Sequence, residues 1–155
     1  MLNLLIFGGG NTCLEIINYL KDISKSSKKK FNIIGIVDPK KIDRKNIEDS
    51  TKKIKHYFNL KSVNFDKKKT FAIITLGDAA KREKCRVEIR KNGIKLFTLI
   101  HPTSYVATSS KIGQGCILAP FTLVAPKVNL EATHILTLEW VNTKALLECG
   151  VTADD

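Results

Sequence analysis

Three glycines, Gly8, Gly9 and Gly10, close the apolar run Leu2 to Phe7. Asn11 and Thr12 follow at once, ahead of a helical pattern with Leu14, Ile16, Ile17 and Leu20 apolar. Glycines there let the backbone turn sharply at the carboxyl end of a strand. They also let a phosphate approach the amides at the start of a helix, where the dipole is positive. Asn11 or Thr12 suits the cap of that helix. A second apolar run, Phe31 to Val37, ends in Asp38 and Pro39. A carboxylate at that position can accept hydrogen bonds from ribose hydroxyls or a base. A third run, Phe71 to Leu76, ends in Gly77 and Asp78. The chemistry these residues suit is nucleotide recognition. The glycine turn holds Gly8 and Gly10 of a G-x-G-x-x-G pattern, with Cys13 at the third position, so a tight turn without a ligand stays an open alternative.

Other chemistries find little support. Cys13, Cys85, Cys116 and Cys149 make no CxxC and no zinc spacing, and read as buried reduced thiols, with no metal. The net charge is +11, carried mainly by lysine runs such as Lys28 to Lys30 and Lys67 to Lys69. Arginine is confined to Arg44, Arg82, Arg86 and Arg90. Nucleic-acid recognition leans on arginine forks and interleaved aromatics, so these runs read as solvated loops whose field favours anionic small substrates. No run reaches the ~20 apolar residues of a membrane helix. The start lacks a basic leader and reads as a strand, so the cytoplasm is the expected location.

The elements that must position these residues follow a βαβ order. Strand, glycine turn, helix and strand imply parallel pairing with a right-handed crossover. Between Pro39 and Lys69 the chain is lysine-rich, with Ser62 to Phe65 a candidate edge strand and His56 an exposed residue. A helix is expected from about Ala79 to Lys91, with Cys85, Val87 and Ile89 apolar and Asn92-Gly93 as its stop. Leu96 to Ile100 reads as a last strand, closing a first module at residues 1 to 100. Its ligand edge is the carboxyl ends of the strands.

A different period then begins. Val106, Ile112, Leu118, Val124 and Leu130 are aliphatic at a constant spacing of six. Ser110, Cys116, Thr122 and Val128 are small or β-branched at the same spacing. One short strand and one turn per six residues give a coil with flat faces. Three such units close a turn of the coil, so residues eighteen apart stack, Val106 under Val124 and Ile112 under Leu130. This second module spans residues 101 to 135.

The order of parts resembles the sialic acid O-acetyltransferase and bacillosamine or perosamine N-acetyltransferase family. The residues that carry the resemblance are Phe7 to Gly10, Gly35 to Asp38, Ile74 to Asp78 with Arg82, Leu99 to Thr103, and Val106 to Gly115. It covers residues 1 to about 130. It implies an α/β protein: a Rossmann-like sugar-nucleotide domain followed by a short left-handed parallel β-helix of hexapeptide repeats. It implies acetyl-CoA as co-substrate, acyl transfer to an amine or hydroxyl of a UDP- or other nucleotide-linked sugar, a homotrimer, and a histidine as general base. Gly8, Gly9, Gly10, Asn11, Thr12, Asp38, Gly77, Asp78 and Arg82 are the substrate-binding residues it implies.

The chain also departs from that pattern. Gly10-Asn11-Thr12 stands where the family continues with a small residue, glycine and histidine, and Pro39 replaces an acidic residue. Counting by sixes puts the family's basic histidine near Asn142 to Lys144, where none stands. His134 falls in another register, and His101 belongs to the linker. Trp140 would stack over Thr122 in a small corner, where overpacking costs ~1–3 kcal/mol. Residues 136 to 155 therefore read as an atypical tail, helical from Leu136 to Leu147 and stopping at Gly150. The tail is either a cap on a short coil or the end of a truncated copy. The expected function is a weakly active or inactive sugar-nucleotide acyltransferase. The rival is a non-catalytic sugar-nucleotide-binding module. A nicotinamide oxidoreductase finds no substrate domain after Gly93.

Overall fold

The structure, a computed structural model, describes residues 1–42, 51–136 and the backbone of 49–50 and 140–141. It divides into two compact units, Met1–Leu96 and Phe97–Asp155.

The first unit is built on a five-stranded sheet: β1 (Leu2–Phe7), β2 (Phe31–Val37), β3 (His56–Tyr57), β4 (Thr70–Ile74) and β5 (Lys95–Leu96). The spatial order is β3-β2-β1-β4-β5, and every pairing is parallel. Parallel neighbours need crossovers, which α1 (Asn11–Ser26) and α3 (Ala79–Lys91) supply, with the short α2 (Asp49–Lys52) ahead of β3. Alternation along the central strands sends side chains to both faces. Ile6 and Ile36 pack with Cys13 and Ile17 of α1. Leu5, Phe7, Val37, Ala72 and Ile74 pack with Ile89 of α3 and with Leu60 and Val63. The two long helices thus cover opposite faces, and the β3-to-β4 connection shares the α3 face.

Several local expectations change. Gly10 is the N-cap of α1, with no side-chain cap, rather than Asn11 or Thr12. The edge strand is His56–Tyr57, not Ser62 to Phe65. There a 3-10 turn forms over Leu60–Ser62, because the Asn59 side chain accepts the Ser62 N–H and Val63 is buried in the core. His56 is half-buried rather than exposed. Of the apolar positions of α3, Ile89 is buried and Val87 is 39% exposed.

The expected strand Leu96 to Ile100 is divided between the units. Lys95–Leu96 ends the first sheet, while β6 (Leu99–Ile100) starts the coil by pairing with β9 (Ile117–Leu118). Thr98 enforces the change, since its hydroxyl accepts the Gly115 N–H at 3.0 Å.

The second unit continues with β7 (Tyr105–Val106), β8 (Lys111–Ile112), β10 (Leu123–Val124), β11 (Asn129–Leu130), β12 (Ile135–Leu136) and β13 (Trp140–Val141). They stack into three parallel faces: β13-β10-β7, β11-β8 and β12-β9-β6. Val124 pairs with Val106, Leu130 with Ile112 and Leu136 with Leu118, each eighteen residues apart, as the spacing predicts. Leu118, Val124, Leu130 and Leu136 fill the interior with Cys116 and Val128. The corners repeat as well. Gly115, Phe121, Lys127 and Thr133, six apart, all have φ between 61° and 76°. Ser104 Oγ, Ser110 Oγ and Cys116 Sγ donate to the carbonyls of Ala119, Ala125 and Glu131, each fifteen residues on, at 2.8, 2.6 and 2.9 Å.

The expected helix from Leu136 is contradicted at its start. Leu136 is a buried strand residue, and Trp140–Val141 is a strand. Trp140 pairs with Leu123 and Val141 with Val124, so this step of the coil is seventeen residues. Trp140 therefore pairs with Leu123 and not with Thr122, which corrects the expected stacking. Residues 142–155 of the expected tail lie outside the described residues.

Candidate functional site

The carboxyl ends of β1, β2, β3 and β4 are tied by hydrogen bonds that converge on the Gly8 to Asp38 region. Gly8 has φ +108°, open only to glycine at low cost, and its N–H donates to Val37 O at 2.9 Å. A Cβ at Gly8 would stand 2.9 Å from both Leu76 Cδ2 and Thr75 Oγ1. The buried Thr75 hydroxyl donates to Gly8 O at 2.8 Å, and its N–H donates to Phe7 O. Asp38 is the hub of the opposite side. Its Oδ2 accepts the Gly9 N–H at 2.7 Å and its Oδ1 accepts the Lys40 N–H at 2.8 Å. Its carbonyl accepts His56 Nε2–H at 2.8 Å.

This changes how the glycine turn serves a ligand. The Gly9 amide is used by Asp38 and is not directed at a phosphate. Gly10 has nothing within 4 Å of a Cβ position, so the first turn of α1, with exposed Asn11 and half-buried Thr12, faces open space. Asp38 keeps further lone pairs on each oxygen, since a carboxylate has about four acceptor positions.

Gly77, Asp78 and Arg82 form the turn from β4 into α3. Asp78 caps α3 by accepting the Lys81 N–H at 2.8 Å. Arg82 Nη1 donates to Gly77 O at 2.7 Å and to Leu76 O at 3.1 Å, closing the turn. These three residues hold the shape of the strand end.

A cleft of about 350 Å³ opens beside these ties, on the α3 face of the sheet. It is lined by the strand-end residues Phe7, Gly8, Val37, Asp38 and Leu76, by Phe58 and Asn59 after β3, and by Lys81, Lys84 and Glu88 of α3. Of the nine sequence candidates, only Gly8 and Asp38 line it. Phe58, Asn59, Lys81 and Lys84 were not singled out from sequence. Their one available signal is the β-favouring triplet His56-Tyr57-Phe58 followed by the turn residue Asn59, set among lysines.

Neither nearby thiol is a nucleophile at neutral pH. Cys13 is pushed up to about 12 by burial and then by the Asp38 charge. Cys85, at the cleft, is also pushed up to about 12, by burial and then by Glu88. Among the described residues no cluster of three or more His, Cys, Asp or Glu side chains could hold a metal ion. None of the described helices is long and apolar enough to cross a membrane.

The coil's described histidines are both tied locally. His101 is buried, with Nδ1 2.8 Å from Thr103 Oγ1 and accepting the Thr103 N–H at 3.3 Å. His134 Nδ1–H donates to Glu131 O at 3.0 Å.

No family model matches the chain, and no curated protein matches it in sequence. Solved structures do match. One is PerB from Caulobacter crescentus, in complex with CoA and GDP-perosamine: 18% identity, TM-score 0.64, covering 87% of this chain and 59% of that one. Another is the acetyltransferase domain of PglB from Neisseria gonorrhoeae: 19% identity, TM-score 0.66, covering 87% of this chain and 62% of that one. That domain is also known in complex with acetyl coenzyme A. The chain therefore shares its fold with these two proteins. This chain spans about three fifths of the length of those it matches.

Proposed function

We propose that the chain is an acyltransferase module that binds a nucleotide-linked amino sugar or sialic acid, with acetyl-CoA as the acyl donor. The observation that carries this reading is the pairing, in one chain, of a cleft at the carboxyl edge of a parallel sheet with a coil of eighteen-residue period. In this reading the first unit is a Rossmann-like sugar-nucleotide domain. The second is a left-handed β-helix of hexapeptide repeats, through which three chains would associate with acetyl-CoA between them. The setting is the cytoplasm, in the synthesis of polysaccharide precursors. Support comes from the strand order β3-β2-β1-β4-β5, from Asp38 and Gly8 at the cleft floor, and from the fold shared with PerB, which holds CoA and GDP-perosamine.

The reaction is transfer of an acetyl group. The sugar amine or hydroxyl attacks the thioester carbonyl, the C–S bond breaks, and coenzyme A leaves as the thiol after taking the proton. A general base near neutral pKa speeds that step. His101 and His134 are each engaged with their own turn, and neither is assigned as base. We therefore expect these 155 residues to bind sugar nucleotide and to transfer acetyl weakly. That same observation favours a second reading, a sugar-nucleotide-binding module without catalysis.

Calorimetry with UDP- and GDP-linked 4-amino sugars, followed by a thiol-release assay with acetyl-CoA, tests both. The expected result is saturable nucleotide-sugar binding with slow thiol release. No heat with any nucleotide sugar rejects both readings, and binding without any acetyl-CoA affinity leaves only the second.

A further inference from the structure

We infer that Phe58 is the platform on which the nucleobase of the bound nucleotide stacks, with the diphosphate directed to Lys81 and Lys84 on the opposite wall of the cleft. The inference rests on the sugar-nucleotide reading above and adds an orientation for the ligand. Phe58 is 58% exposed, although it directly follows a strand and lines a cleft with Asp38 and Leu76. A phenylalanine facing water in a largely apolar cleft that also carries a carboxylate and lysines is an unfilled contact for a flat, partly apolar ring.

The ring is flanked by anchored residues. The His56 ring packs against it with centroids 4.6 Å apart at 53°, and His56 is itself held by its bond to Asp38 O. On the other side, Asn59 Oδ1 accepts both the N–H and the hydroxyl of Ser62, at 3.1 and 2.9 Å. That orientation leaves the Asn59 amide nitrogen as donor, the polarity a base carbonyl needs.

The charges set the direction. The sheet order places β3 and its following residues at one edge, with β2 and β1 between them and β4. The wall bearing Phe58 and the wall bearing α3 therefore face each other across the strand ends of β2 and β1. Lys81 and Lys84 lie one helical turn apart and both line the α3 wall, where they outnumber the one carboxylate, Glu88, a turn further on. The floor carries the Asp38 carboxylate, which repels phosphate but accepts ribose hydroxyls. Base, ribose and diphosphate then meet Phe58, Asp38 and the lysines in turn.

The test measures binding of UDP, GDP, uridine and inorganic pyrophosphate to the 155-residue chain. Variants are Phe58→Ala, Phe58→Trp and the pair Lys81→Ala with Lys84→Ala, each checked for an unchanged melting temperature. Phe58→Ala is expected to weaken UDP and GDP by about 10- to 100-fold, the range of one base–aromatic stack, and to leave pyrophosphate unchanged. Phe58→Trp should retain affinity and show quenching of the added indole by nucleotide. The lysine pair should weaken UDP and pyrophosphate alike and spare uridine. Unchanged UDP and GDP affinity in Phe58→Ala, or an equal loss for pyrophosphate, overturns the platform while the sugar-nucleotide reading stands. Wild-type protein that binds neither UDP nor GDP overturns both.

Discussion

In the coil, one solution is repeated; at the sheet edge, each solution is used once. Ser104, Ser110 and Cys116 make the same bond at successive corners, and Leu118, Val124, Leu130 and Leu136 fill successive interior positions. At the sheet edge, Asp38, His56 and Thr75 each join different strands through different atoms. Repetition produces a scaffold whose residues answer only to their neighbours one coil away. Singular contacts produce a place where floor and walls differ in chemistry, which is what a ligand requires. The cleft lies in the unit built from singular contacts.

The strongest way to break this contrast is to test the coil's parity. Leu118 is fully buried and Leu123, five residues on, is 38% exposed. Leu118→Ala should cost about 2–5 kcal/mol in denaturant unfolding, the range for a buried leucine, and Leu123→Ala well under half of that. Equal costs would mean that alternation does not govern this segment. Next comes Gly113. A Cβ there would lie 2.6–2.7 Å from backbone atoms of Leu130, Glu131 and Ala132 in the next coil, which cannot give way as a side-chain tip can. Gly113→Ala should cost about 1–3 kcal/mol. Gly10→Ala, with open space around it, meets no clash and should cost only the lost N-cap preference, about 0.5–1 kcal/mol by the same measurement.

The contrast also explains what could be read from sequence. The coil's pairings are legible because each residue's partner is eighteen positions away by arithmetic. Even β6 was available, since Ile100 lies six before Val106. It was missed because Leu99 and Ile100 also continue the apolar run that ends the first sheet. The seventeen-residue step to Trp140 was not legible, because a period of six carries no record of a one-residue shortening. In the first unit, the strands βαβ logic requires were legible, but the cleft walls were not. Phe58 and the lysines of α3 meet only because the strand order brings distant segments to one edge. The bond from Gly9 to Asp38 spans 29 positions with no period to announce it.

Cysteine sharpens the comparison from the sheet side. Cys13 is buried among Ile6, Ile17 and Ile36. Cys13→Ser places a hydroxyl in that apolar setting and should cost about 1–3 kcal/mol. The pH dependence follows from the same burial. The folded thiol holds its proton up to about 12, against an ordinary 9.0, so its contribution is complete below pH 9 and lost as pH rises from 9 toward 12. Wild-type stability should fall more steeply with pH than that of Cys13→Ala, by at most about 1.4 kcal/mol per pH unit in that window. Parallel profiles in urea melts at pH 8 to 10 would show that Cys13 is not shielded.

The same substitution in the coil should do almost nothing. Cys116 is as buried as Cys13, and burial likewise pushes its thiol up. Its sulfur, however, donates to Glu131 O from the position where Ser104 and Ser110 carry hydroxyls. A serine at 116 would inherit an acceptor that the repeat already provides. The shorter C–O bond brings the hydroxyl back from the carbonyl, and the stronger donor offsets that loss. Cys116→Ser should therefore change unfolding free energy by less than about 0.5 kcal/mol, while Cys13→Ser shows its full penalty. A cost at Cys116 equal to that at Cys13 would mean that the thiol packs as a hydrophobe and that the donor ladder contributes nothing at this corner.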